Sequence, residues 1–273
     1  MLKKRLTIRA GQSERRYWVD LWHYRELLYF LAWRDVLVRY KQTAVGVAWA
    51  VIRPLLTMIV LTIVFGRIAK LPSDGVPYPL LVAAGMLPWQ FFANALAESG
   101  MSLADNANLI SKVYFPRLVV PASSVLVSLV DFAVSFVVLI GLLVWYQFVP
   151  PWQIVALPFL ALLAFFTALG PGLIITTLNV RYRDFRYLIP FVVQFGLYLS
   201  PVGFSTSAIP PGWQLIYALN PMVGVIDGFR WAICGVVPLS WAPLGISMLI
   251  SAALLAIGVR HFRRMERTFA DVI

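Results

Sequence analysis

The 273-residue chain holds few of the residues that carry covalent, metal or acid–base chemistry. It has one cysteine, Cys234, which excludes an intrachain disulfide and a cysteine-based metal cluster. Its two histidines, His23 and His261, lie at opposite ends. No Gly-x-x-x-x-Gly-Lys loop is present, and no glycine precedes a lysine, so the chain cannot hold ATP by that route. There is no His-Glu-x-x-His motif, no pair of close carboxylates and no nucleophile elbow. A membrane glycosyltransferase or acyltransferase would lack its acid–base groups here. Charge is also scarce, at 13% of residues, where a soluble domain carries about a quarter.

What is present is hydrophobic: 60% of the chain. Six apolar stretches predict membrane spans, at about 48–68, 80–96, 118–146, 154–178, 188–204 and 243–259. The second is read as broken by Gly85 and Pro88. It carries Trp89, Gln90, Phe91, Phe92 and Asn94, which should face protein or a cavity because lipid cannot satisfy polar groups. The third carries Asp131, either part of a proton or cation relay or a structural partner for Arg53 or a hydroxyl. Between the last two spans, NPMVGVIDGFRWAICG reads as a short helix: Asn220 caps it, Pro221 takes its first position and Gly235 ends it. It is too short to cross about 30 Å of hydrocarbon, which predicts a re-entrant or interfacial pair with the segment before it. Asp227 and Arg230 lie one turn apart there and can pair locally.

Two polar segments stand out. Residues 20–42 place Trp22, Tyr29, Phe30, Trp33, Val36, Leu37 and Tyr40 on one side at helical spacing, interrupted by Glu26, with Arg34, Asp35, Arg39 and Lys41 off that stripe. This fits an amphipathic helix in the interface, or a juxtamembrane helix packed on the bundle. Residues 105–117, DNANLISKVYFPR, begin with helix-capping chemistry at Asp105, Asn106 and Asn108 and stop at Pro116. Leu109, Ile110, Val113, Tyr114 and Phe115 make this a small amphipathic turn, either a docking surface for another protein or a surface-lying connector.

The net charge of +11 is unevenly placed. Most of the 23 Lys and Arg lie in the N-terminal region, in the loops holding Lys112, Arg117, Arg181, Arg183 and Arg186, and in the tail from Arg260 to Arg267. The positive-inside rule puts these segments and both termini in the cytoplasm. It explains the basicity without nucleic acid. The N-terminus leads into no compact apolar run with a cleavage site, so no cleaved signal peptide is predicted. The expected organisation is a cytoplasmic N-terminus with interfacial helix (1–46), a transmembrane domain (47–262) and a cytoplasmic tail (263–273).

Five stretches together resemble a known family: RDVLVRYKQTAVGVAWAVIRPLL (34–56), GMLPWQFFANAL (85–96), NANLISKVYFPRLVVP (106–121), LNVRYRDFRYLIPF (178–191) and NPMVGVIDGFRWAICG (220–235). Nearly the whole chain is similar to ABC-2 type permeases that export polysaccharides such as O-antigen, capsule or teichoic acid, and most of all to the O-antigen group. Asp227 stands where that family more often has glutamate. The resemblance implies an all-α membrane protein of six transmembrane helices. An N-terminal interfacial helix precedes them, and a short re-entrant pair of periplasmic gate helices comes before the last span.

The resemblance also implies partners and sites. Such permeases are homodimers in the bacterial inner membrane that pair with two ATP-binding cassette subunits. The chain itself then has no catalytic residues, metal or cofactor, since ATP and Mg sit on the partner. Coupling to the ATPase falls to Asn106, Asn108, Lys112, Tyr114, Phe115 and Arg117, with a second contact at Arg181, Tyr182, Arg183 and Asp184. Arg34, Arg39, Lys41 and Arg53 would meet the pyrophosphate of a lipid-linked polysaccharide at the inner leaflet. Trp213, Asn220, Asp227, Phe229, Arg230 and Trp231 would form the periplasmic gate. Aromatic rings stack on the apolar faces of sugars without fixing register, so Trp89, Phe92 and Tyr198 are assigned to the glycan channel. Two other readings are an exporter of a drug or another lipid with the same fold, and an ion-coupled transporter. The latter needs buried ionisable pairs or a repeated half with broken helices.

Overall fold

The computed structural model describes residues 14–41, 44–182, 184–235, 239–266 and 269, and among these no strand occurs. The chain begins with α1 (Glu14–His23) and α2 (Arg25–Lys41), which meet at Tyr24. α3 (Ala44–Leu61) runs on as a π-helical stretch, Thr62–Ile68. α4 (Tyr78–Asp105) is the centre of the molecule, and every residue from Leu80 to Trp89 is buried. α5 (Ala107–Lys112) is a short surface helix, followed by α6 (Val119–Trp145). A 3₁₀ turn, Trp152–Ala156, leads into α7 (Leu157–Arg181). Then come α8 (Phe185–Leu199), α9 (Pro211–Tyr217), α10 (Pro221–Cys234) and α11 (Trp241–Met265).

α4 packs against α6, α7 and α10, and α7 packs against α11. Small and hydroxyl residues let the last pair approach closely, as helices in lipid do. A Cβ on Gly258 would collide with the carbonyl of Gly170. Elsewhere along the same pair, the hydroxyls of Thr167 and Ser251 share a hydrogen bond of 2.6 Å.

Two predictions need correction. The second span is unbroken by Gly85 and Pro88 and runs 28 residues to Asp105. Packing on three sides holds the helix across the one amide hydrogen that Pro88 lacks. The capping expected at residues 105–108 does not occur: α5 has no side-chain cap. Asn106 instead turns back, its amide donating to the Ser102 carbonyl at 2.9 Å at the end of α4.

The spans differ from expectation in one place. Among the described residues, five helices are long and apolar enough to cross a membrane: Val51–Ile68, Tyr78–Asp105, Val119–Trp145, Trp152–Arg181 and Trp241–Met265. The stretch at 188–204 falls largely in α8, a helix of 15 residues, about 22 Å long at 1.5 Å per residue. It stops at Leu199, and residues 200–205 are irregular.

α10 has the predicted ends. Asn220 accepts from the Met222 amide at 3.0 Å, Pro221 opens the helix, and Gly235 closes it with φ of 70°. It is wedged among α4, α7 and α11, with Met222 to Arg230 all buried. Its expected internal pair is absent: Asp227 and Arg230 do not bond each other. Arg230 donates to three backbone carbonyls, and Asp227 accepts from Thr206.

Candidate functional site

A cavity of about 540 Å³ opens between α4, α8 and α9. Trp89 and Phe92 stand one turn apart on α4, their ring centroids 5.4 Å apart, and both line it. α8 supplies Val192, Gly196 and Leu199; the segment after it supplies Ser200, Phe204 and Ile209. α9 and its exit supply Trp213, Ile216, Tyr217 and Asn220. The wall is aromatic and aliphatic with few polar atoms, so it can hold apolar faces but not a bare charge.

The structure divides the predicted channel residues. Trp89 is only 5% exposed, its ring pressed on Gly196, while Tyr198 is 60% exposed and outside the cavity. Tyr198 follows Phe191 and Phe195, also exposed, at helical spacing along α8. The predicted gate residues divide too. Trp213 and Asn220 line the cavity. Phe229 is fully buried edge-on against Phe132, and Trp231 is half-buried. Asp227 and Arg230 lie buried outside the cavity lining.

The other end of the bundle carries the basic loops. Thr176 donates to the Ser99 carbonyl at 2.6 Å and Asn179 to the Gly100 carbonyl at 3.0 Å. These bonds tie the last turns of α4 and α7 together, so α5 and the loop after α7 emerge at the same end. Ile110 and Phe115 are buried and fix the segment to the bundle. Asn108 and Lys112 are exposed beside it, and Tyr114 is 69% exposed. Phe115 therefore supports this surface from beneath. In the second loop Arg181, Tyr182 and Asp184 are exposed, with the Arg181 guanidinium 5.2 Å over the Tyr182 ring. Arg183 lies outside the described residues.

α2 is fastened to this end. Arg34 donates to Asp35 at 2.8 Å and to Asn106 at 2.9 Å, and the Tyr24 hydroxyl to the Tyr114 carbonyl at 3.4 Å. Arg39 bonds Asp131 of α6 and donates to Glu98 of α4 at 2.5 Å. Tyr40 donates to the second Asp131 oxygen at 2.5 Å. Asp131 is thus held by Arg39 and by the Tyr40 hydroxyl: of the two structural partners the sequence offered, a hydroxyl is present and Arg53 is not. Two of the four cations assigned to headgroups, Arg34 and Arg39, are committed inside the chain, while Lys41 and Arg53 are exposed. The aromatic stripe of α2 faces outward, Trp22 at 70% and Tyr29 at 67% exposure. The helix packs on the bundle through Leu27, Leu28 and Leu31 and through the bonds of Arg34, Arg39 and Tyr40, as the packed-helix reading has it, while the rest of its aromatic stripe points outward.

Arg117 faces the end of α11. Its amide donates to the Glu266 carboxylate at 2.8 Å and its guanidinium to the Glu266 carbonyl at 2.5 Å. Burial pushes the Glu266 carboxyl above the usual range, a shift partly offset by the Arg117 amide. Among the described residues no three His, Cys, Asp or Glu side chains converge on a metal-sized site.

Residues 26–234 match the family described as ABC-2 type transporter. The chain belongs to that family. An O-antigen export system permease protein of Klebsiella pneumoniae is 27% identical over 249 residues, 91% of this chain and 95% of that protein. One of Myxococcus xanthus is 28% identical over 214 residues, 77% and 81% of the two chains. A polysialic acid transport protein of Escherichia coli is more distant, 21% identical over 245 residues, 85% and 91%. This ABC-2 chain is thus a helical membrane protein whose relatives include permeases of polysaccharide export.

Sequence reasoning missed Phe204, Ile209, Ile216 and Tyr217 in the cavity wall. They sit in short helices and irregular backbone, where no periodicity marks an inward face.

Proposed function

We propose that this chain is the membrane subunit of an ATP-driven exporter that moves a lipid-linked polysaccharide of O-antigen type from cytoplasm to periplasm. Two copies pair in the bacterial inner membrane and bind two ATP-binding cassette subunits. Both termini and the basic loops lie in the cytoplasm, and α8 with the segment after it completes a sixth pass. Asn108, Lys112 and Tyr114 meet the ATPase, with Arg181, Tyr182, Arg183 and Asp184 as the second contact. Lys41 and Arg53 meet the lipid pyrophosphate, Lys41 at the end of a helix held by Arg34 and Arg39.

The observation that carries this reading is the aromatic cavity. Trp89, Phe92, Trp213 and Tyr217 line a wall with few hydrogen-bond donors to bind one sugar in one register. A polymer of varied sugars can slide past such a wall by stacking. Trp213 and Asn220 form the outward gate.

Deletion of the gene tests the reading. Loss of surface polymer, with lipid-linked glycan accumulating inside the cell, is the expected result. Unchanged surface polymer and a defect in lipid or drug efflux would transfer the function to another cargo of the same fold.

A further inference from the structure

Between α8 and α9 the backbone leaves the helix, yet residues 200–203 and 205 are buried. Irregular backbone at membrane depth persists only where protein or water takes its polar groups. Arg230 of α10, itself 1% exposed, takes two of the segment's carbonyls. Its Nη2 donates to the Val202 carbonyl at 2.9 Å, and its Nη1 to the Phe204 carbonyl at 2.7 Å. Nε donates to the Leu81 carbonyl of α4 at 3.2 Å. The Tyr78 hydroxyl fills the gap, donating to the Gly203 carbonyl at 2.8 Å. Three consecutive carbonyls are thus held by side chains from other helices.

Gly85 makes room for this. A Cβ there would sit 2.7 Å from Nη2 and 3.1 Å from Cζ of Arg230. The glycine that looks like a helix breaker in the sequence is where the guanidinium lies on α4. On its other side the same segment presents Ser200 and Phe204 to the aromatic cavity.

We infer that Arg230 is a positioning residue that holds residues 200–206 in place as the wall of the cavity, with Gly85 as its seat. The fork of the guanidinium matters as much as its charge. A lysine brings one compact ammonium and cannot span the carbonyls of two helix-distant segments. The inference deepens the export reading and rests on it only for what passes the cavity. The position of the wall can be measured with no glycan and no ATP.

The test is thiol labelling of the full-length chain in membranes. Val202 is 0% exposed, so Val202→Cys, in a Cys234→Ser background, should react slowly with a water-soluble maleimide. Adding Gly85→Ala or Arg230→Lys should raise its rate on the order of tenfold or more, the effect of one lost charge-assisted hydrogen bond on an open–closed equilibrium. Ala168→Cys, 0% exposed in α7, reports the rest of the core and should not change. Gly85→Ala keeps the buried charge and favours helix formation, so it remains informative where an Arg230 variant fails to fold. An unchanged labelling rate for Val202→Cys, or equal rises for Val202→Cys and Ala168→Cys, would overturn the inference. Failure of the wild-type complex to export glycan would sink the function and leave this result standing.

Discussion

Arg34 of α2 donates to Asn106 at 2.9 Å, across 72 residues of sequence. Asn106 is the junction residue between the central helix α4 and the exposed helix α5. A push on α5 therefore reaches both the core of the bundle and the helix that lies along its side. Arg34→Ala and Asn106→Ala should each lower export, and the double variant should be no worse than the more severe single one. The expected interaction energy is about 1 kcal/mol, typical of one partly exposed hydrogen bond. Quantifying surface polymer in the four strains checks it, and strictly additive losses would mean that the two residues act apart.

The exposed face of α5 gives a second prediction. Lys112→Glu and Tyr114→Ala change side chains that project away from the bundle, so the protein should still insert. Export should fall by about tenfold or more, the effect of losing one interface anchor, while the complex still hydrolyses ATP. Phe115→Ala differs because Phe115 is 4% exposed. Its loss leaves a cavity, typically worth about 3–5 kcal/mol, and should lower the amount of folded protein. Melting of the purified chain separates the two classes.

The cavity gives a third. Per amount of folded protein, since Trp89 is itself buried, Trp89→Ala should reduce export more than Tyr198→Ala, because Trp89 lines the cavity and Tyr198 lies outside it. Trp89→Phe should retain part of the activity, because a smaller ring still stacks. Equal losses for Trp89→Ala and Tyr198→Ala would move the glycan route away from this cavity.

Glu266 makes stability depend on pH. Its carboxyl is raised in the folded state because burial, which favours the protonated form, outweighs the pull of Arg117 toward the carboxylate. A raised pKa contributes stability that is complete below the ordinary glutamate range and is lost as pH rises through the folded value. Thermal melts of the detergent-solubilised chain should therefore weaken as pH climbs out of the ordinary glutamate range. Glu266→Gln should remove that component, and a wild-type slope equal to the variant slope would count against it.

Much of this architecture is legible in the sequence, because lipid forces long apolar runs and capping residues mark helix ends. The ends of α10 at Asn220, Pro221 and Gly235 need only local chemistry, and the sequence predicts them. What it hides is non-local. Gly85 and Pro88 carry breaker signals, yet packing of α4 on three neighbours holds the helix through both. Asp227 and Arg230 have the spacing of a local pair, but the irregular segment after α8 draws each away. The partners of Asp131, Arg39 and Tyr40, are about ninety residues away in sequence and no spacing rule joins them. Of the cavity-lining residues, ring chemistry singles out Trp89 and Phe92, whereas Trp213 and Asn220 are named only as gate residues that the family resemblance implies. Tyr198 is not separable from Trp89 and Phe92, since α8 is apolar or aromatic apart from Arg186 and Gln194 and its spacing marks no inward face.

The central claim is that this chain supplies a passage but no source of energy, and is driven by an ATPase seated on α5. The most direct measurement is movement of lipid-linked glycan across proteoliposomes holding the chain with and without its ATP-binding cassette partner. The account predicts translocation only with the partner and hydrolysable ATP, and a rate lower by about tenfold or more when the partner meets the Tyr114→Ala variant. Translocation by the chain alone without nucleotide would contradict it.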